Sequence, residues 1–276
     1  MSAVRFSPAM SRSFSFPSPF PLLNFLRQAG RAAAAALCLA AMPSAAGPES
    51  IQTAAGLTGD QIAGRALVEK ILARWPAQNF TNTGTLQIRD GSGHRSSVAV
   101  ACETQVTGTN WLNRYIATPE AASNGPAIFV AVHSGTEPNA YAFSGAEAAA
   151  APPAASRIAA PFAGSDFWLC DLGLDFFHWP GQKVVKKEFH RQCPCTVLES
   201  TNPHPRPGLY SRVVCWIDND SLGIVEAYAY DYDGRQLKNF YPKKLEKVNG
   251  EYQVGSMVME NLQTDSKSVL EFEPGK

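Results

Sequence analysis

Between Thr58 and Trp75 the apolar residues fall at helical spacing, so that Leu67, Val68, Ile71, Leu72 and Trp75 share one face. Thr58 and Gln61 stand three apart, as a capping box requires, and Pro76 stops the helix because it has no amide hydrogen to donate. Beyond Pro76 the period changes from helical to alternating. Thr83 to Arg89 sets Leu86 and Ile88 on one side, and Ser97 to Glu103 sets Val98, Val100 and Cys102 on one side. Asp90-Gly91-Ser92-Gly93 between them predicts a hairpin.

Trp111 to Thr118, Ala127 to His133 and Asn139 to Phe143 predict three further strands. A second run of alternating segments covers Lys183 to Arg191, Cys195 to Ser200, Leu209 to Asp218, Gly223 to Asp231, Arg235 to Tyr241, Tyr252 to Asn261 and Ser268 to Glu273. Asn219-Asp220, Asp233-Gly234 and Asn249-Gly250 supply turn chemistry at three of the joints. Two stretches break the alternation. Ala146 to Pro161 has the Ala/Pro composition of a surface loop or hinge. Ser165 to Phe177 carries Phe167, Trp168, Leu169, Leu172, Leu174, Phe176 and Phe177, too many large apolar groups for a solvated linker, and predicts short helices over a core or cavity.

The first fifty residues follow neither period. Arg5, Arg12, Arg27 and Arg31 precede the apolar run Ala32 to Met42, and Pro43-Ser44-Ala45-Ala46 offers small residues for cleavage before Gly47. This is a secretory leader, read here as residues 1–48, and its apolar run is too short for a permanent membrane span. Leu37 ahead of Cys38 is too large for a lipidation signal. Residues 49–276 are then expected to form a single exported domain in the periplasm. Removing the leader takes away four of the 24 basic residues and none of the 24 acidic ones. The remainder is mildly acidic, which disfavours nucleic acid as a partner.

Within that frame an ordered series of short motifs runs from Ala163 to Phe272. Gly164-Ser165-Asp166-Phe167 leads to Asp171-Leu172, then to Cys195-Thr196-Val197-Leu198-Glu199 and Tyr210-Ser211-Arg212-Val213-Val214-Cys215-Trp216-Ile217-Asp218. Ala227-Tyr228-Ala229-Tyr230-Asp231-Tyr232-Asp233-Gly234-Arg235-Gln236-Leu237-Lys238 and Met257-Val258-Met259-Glu260-Asn261 complete it. In order and spacing the series resembles the periplasmic lipoprotein-sorting proteins of LolA-like fold. The resemblance implies a mainly β chain: a curved antiparallel sheet, or incomplete β-barrel, closed by a few helices. It also implies a carrier or chaperone that holds lipid or lipoprotein acyl chains for outer-membrane lipoprotein sorting. Envelope membrane proteins that donate or accept the cargo would be its partners, with no cofactor. Cys193-Pro194-Cys195 and the Ala/Pro segment depart from the family's pattern.

Leu86, Ile88, Val98, Val100, Trp111, Phe129, Phe167, Trp168, Phe176, Phe177 and Trp216 are the candidate lining of the apolar cavity or its lid; ordinary core is the alternative for each. If the concave face is filled, the chain reads instead as a non-catalytic envelope interaction or stress-sensing module. Oxidising export directs attention to Cys195, Cys215, Cys193 and Cys170 as disulfide candidates. Cys195 and Cys215 lie about equidistant from a turn near His204-Pro205, so a bridge from Cys215 to Cys195 or Cys193 is geometrically open, with Cys170 the next partner. His190, Cys193 and Cys195, with His178 and His204 nearby, lack the spacing of a zinc site. Ser92 and Ser134, beside His94 and His133, lack a nucleophile-elbow pattern. Asp166, Asp171 and Asp175 are expected at helix caps and exposed positions. No catalytic residue and no metal ligand is assigned.

Overall fold

The computed structural model describes residues 56–119, 126–144, 158–248 and 251–273. The expected leader (1–48), most of the Ala/Pro segment (146–161) and the Asn249-Gly250 turn lie outside them. Helix α1 (Gly59–Leu72) begins at the anticipated cap, where the Gln61 amide donates to Thr58 Oγ1 and the Thr58 amide donates to Gln61 Oε1 at 2.9 Å. It ends three residues before Trp75, because Pro76 disfavours helical backbone just ahead of it.

Twelve strands follow among the described residues: β1 (Phe80–Arg89), β2 (Arg95–Val106), β3 (Trp111–Thr118), β4 (Ala127–Ser134), β5 (Glu137–Ser144), β6 (Gly181–His190), β7 (Cys193–Thr201), β8 (Arg212–Asp218), β9 (Ile224–Tyr230), β10 (Gln236–Val248), β11 (Glu251–Asn261) and β12 (Ser266–Phe272). All join one antiparallel sheet in the order β5-β4-β3-β2-β1-β12-β11-β10-β9-β8-β7-β6. Two meanders, β1 to β5 and β6 to β12, are thus stitched together where β1 pairs with β12. The β1–β2 turn is set by Asp90, whose carboxylate accepts from the amides of Ser92 and His94 at 2.9 Å.

β5 and β6 are consecutive in sequence yet occupy opposite edges, so the sheet does not close into a barrel. The chain between them carries a 3₁₀ turn (Phe162–Gly164), the short helix α2 (Leu169–Leu172) and a second 3₁₀ turn (Asp175–His178). This crossing segment lies on the concave face, and its second 3₁₀ turn touches both β5 and β7. Helix α1 covers the β6 edge at such close range that a Cβ on Gly64 would stand 2.6 Å from the Lys183 amide nitrogen.

Three apolar clusters follow from the alternation of side chains. On the concave face, Leu86, Val100, Tyr115, Phe129, Met257 and Leu270 gather under Phe162, Phe167, Leu169 and Leu172. Also on that face, Leu198, Val213, Cys215, Ile217 and Ala227 gather under Phe176, Phe177 and α1 residues Val68 and Ile71. The third cluster, Cys195, Val197, Val214 and Trp216, lies on the opposite, convex face.

That third cluster corrects two expectations. Trp216 does not line the concave space: Val213, Cys215 and Ile217 of β8 point inward, so Trp216 points outward, where its indole donates to Glu188 and stacks on His190. Nor do the cysteines pair. Cys195 stands opposite Asp218 and Cys215 opposite Leu198, an offset of three residues. An odd offset puts Cys193 and Cys195 on one face and Cys215 on the other, so neither can bridge to it. Cys170 shares the concave cluster with Cys215, and all five described cysteines are free thiols.

Candidate functional site

The crossing segment meets the concave face around one charged pair. Lys238 of β10 stands two residues before Phe240 on the inward face and is only 1% exposed. Its ammonium lies 3.3 Å from Asp171 of α2 and 3.6 Å above the Trp168 ring centre. Asp171 also accepts from the Tyr210 hydroxyl at 3.0 Å and from the Trp168 amide at 2.8 Å. Trp168 and Tyr210 stack at 4.6 Å, walling the pair off from solvent. Burial pushes the Lys238 ammonium below its ordinary value, against the opposing pull of Asp171, and burial drives the Tyr210 phenol well up.

Asp166, at the other end of the segment, accepts from the hydroxyls of Ser266 and Ser268 on β12 at 2.5 and 2.8 Å, while the Ser268 hydroxyl takes the Asp166 amide. Asp175 accepts from the Tyr141 hydroxyl of β5 at 2.9 Å. Asp171 thus serves as a cap of α2, as expected, but none of the three aspartates is exposed. Each ties the crossing segment to a different strand, Asp166 to β12, Asp171 to β10 and Asp175 to β5.

Among the described residues a cavity of about 160 Å³ borders the segment at Trp168, Cys170, Asp175, Trp179, His204 and Tyr210, and two smaller ones lie on its inner side. One, about 30 Å³, lies among Asp171, Phe176, Val213, Lys238, Phe240 and Met257. The other, about 40 Å³, lies among Trp111, Asn113, His133, Phe177, His178 and the end of α1. Leu172 and Leu174 line both, so the segment is the wedge that divides one concave space in two. Either cavity has room for roughly two water molecules.

The candidate lining residues fall into groups. Leu86, Val100, Phe129 and Phe167 are brought together, with Ile88 and Val98 at their margin. Phe176, Phe177 and half-buried Trp168 form the second group. Trp111 belongs to the second cavity, stacked on His133 at 3.9 Å, and Trp216 belongs to neither. Sequence reasoning passed over Lys238 and Tyr210 and expected Asp171 only at a helix cap or exposed position. The available signal was the lysine itself, placed on the face of Phe240 in an alternating strand.

Other chemistry is not assembled at the singled-out residues. Ser92 donates to Asp90 within its turn at 2.7 Å. Burial holds the Cys195 thiol up to about 11, the opposite of an activated thiolate. Among the described residues no group of three or more His, Cys, Asp or Glu side chains converges to hold a metal.

A family model described as "Uncharacterized protein" matches residues 125–274, more than half of the chain. The chain belongs to that family. Comparison with curated protein sequences finds no match. Among solved structures, a domain from Vibrio parahaemolyticus described as an outer membrane lipoprotein-sorting protein is similar at 18% identity and a TM-score of 0.63, over 78% of this chain and 92% of that one. A DUF1329 family protein from Desulfovibrio piger is similar at 19% identity and a TM-score of 0.55, over 78% and 92% of the two chains. A LolA superfamily protein from Nitrosomonas europaea is similar at 16% identity and a TM-score of 0.53, over 76% and 91%. The family member described here therefore has the LolA-like fold, a curved and incomplete barrel with few helices. At these identities the likeness is one of fold.

Proposed function

We propose that this protein is an exported, non-enzymatic carrier that encloses an acyl chain of a lipid or lipoprotein between the concave sheet and the crossing segment Phe162–His178, which acts as its lid. The carrying observation is the wedge itself: an apolar, helix-bearing segment covers and divides an apolar concavity, packing on both concave clusters around the buried Lys238–Asp171 pair. Fold likeness to a lipoprotein-sorting domain supports the same reading. Burial of an acyl chain contributes about 0.8 kcal/mol per methylene without any directional contact. The wedge must move first, because cavities of 30 and 40 Å³ cannot hold a chain of a dozen methylenes.

The test is native mass spectrometry, with lipid extraction, of the protein purified from periplasm. Acyl-bearing species are expected with the wild type and not with Phe176→Asp, which places a carboxylate under the lid while leaving the strands intact. Capture unaltered by Phe176→Asp would sink the lid assignment. The smallness of the two cavities favours one other reading, an envelope interaction or stress-sensing module whose concave face stays filled. That module would give a clean protein mass that lipid exposure does not change.

A further inference from the structure

Leu86 of β1 points into the concave core, so its neighbours Gln87 and Arg89 alternate such that both lie on the convex face. Register carries the same face to the strands on either side: Arg95 of β2 stands opposite Arg89, and Lys267 of β12 stands opposite Arg89 from the other side. Three cations therefore form one row across three neighbouring strands. Like charges set directly opposite one another destabilise a sheet, and the charge balance of the chain as a whole gives no reason for them to gather here.

The row opens on a groove of about 640 Å³, into which Lys243, the bulged residue of β10, also reaches. The groove is lined by these four cations together with Gln87, Ser96 and Ser97, with Ile88 and Val269 between them, and by no carboxylate. Acidic groups touch its rim: largely exposed Asp265 lies 3.3 Å from Arg89, Glu260 lies 2.8 Å from Lys267, and Glu271 accepts from the Gln87 side-chain amide at 3.1 Å. Arg95 and Lys243 have no hydrogen-bond or ion-pair partner among the described residues. Two guanidinium forks and two ammonium groups converging on one concavity, with hydroxyl and amide donors between them, match the oxygens of a phosphate group.

We propose that this convex groove binds a phosphate-bearing group, either the headgroup of an anionic phospholipid or a soluble phosphate ester. The bound anion offsets the repulsion along the Arg95–Arg89–Lys267 row. The groove lies on the face away from the concave interior, so it stands or falls independently of the carrier reading.

Inorganic phosphate and pyrophosphate titrated into the intact protein at low ionic strength are expected to raise its melting temperature, and added salt to diminish the effect. Arg95→Gln and Lys243→Gln are each expected to weaken the binding about tenfold or more, the worth of one charge-assisted contact. Arg95→Gln also removes one of two opposed cations, so without phosphate it is expected to melt at or above the wild-type temperature. Sedimentation with vesicles then separates the sources. Retention on phosphatidylglycerol but not phosphatidylcholine, lost in Arg95→Gln, gives the lipid headgroup; a phosphate response without retention gives a soluble ester. A melting temperature that phosphate leaves unchanged, or a shift that survives both substitutions, overturns the proposal.

Discussion

His133 shows what burial does to a single titratable group. Its ring is stacked on Trp111 with Nε2 unpartnered, and burial brings its proton affinity down to about 4, with nearby His178 lowered by burial as well. In the unfolded chain the same imidazole titrates near 6.5. The unfolded state thus binds more protons between pH 6.5 and 4. The stabilisation from a neutral His133 is complete above about 6.5 and is lost as the pH falls toward 4. We expect the denaturation midpoint to decline from pH 6.5 to 5, above the range where most carboxylates titrate, and His133→Phe to flatten that decline while preserving the stack on Trp111. An unchanged pH profile in His133→Phe would place the acid sensitivity elsewhere, His178 first.

At the scale of elements, the lid and β10 are joined by charge inside an apolar region. A buried ion pair adds little net stability, but removing one partner strands the other, at about 3–5 kcal/mol. Lys238→Met is therefore expected to lower stability by about 3 kcal/mol, because Asp171 keeps only Tyr210 and the Trp168 amide as partners. Lys238→Met combined with Asp171→Leu is expected to recover part of that loss. Chemical denaturation of the single and double variants measures the difference, and equal losses in both would show that the pair is not what holds α2 to the sheet. Asp166, Asp175 and the segment's buried Phe and Leu side chains hold the rest of the lid, so the loss reports on the seating of α2, which is only four residues long. Helices so short have little stability of their own.

At the scale of the molecule, the sheet is a continuous frame and the lid a separate insert between its two edge strands. Opening the lid need not break a strand pair, so one scaffold can present both a divided and a continuous concave space. A ligand that binds only the folded, opened form raises the melting temperature in proportion to the logarithm of its concentration. Increasing lysophospholipid below its micelle threshold is expected to raise the melting temperature of the wild type progressively and that of Phe176→Asp not at all. A flat response in the wild type would favour the filled interaction module.

Local patterning carried far in this chain. Alternation placed all twelve strands, with Trp111–Thr118 matching to the residue, and the Thr58/Gln61 box placed the start of α1, because each depends on neighbours a few residues away. The aromatic density of 165–177 likewise required a buried segment. Register was beyond its reach. The β7–β8 loop is displaced from His204-Pro205 enough to separate Cys195 from Cys215 by three positions, and one odd step moves a side chain through the sheet. Trp216 went outward for the same reason. The Lys238–Asp171 pair brings together residues 67 positions apart, and the cation row joins β2, β1 and β12. Sequence alone determined which residues form strands and where the chain turns, since those are local energies. Which face each strand turns inward, which charges meet and how much space the lid leaves were decided only in the tertiary structure, because they depend on pairing and packing between distant segments.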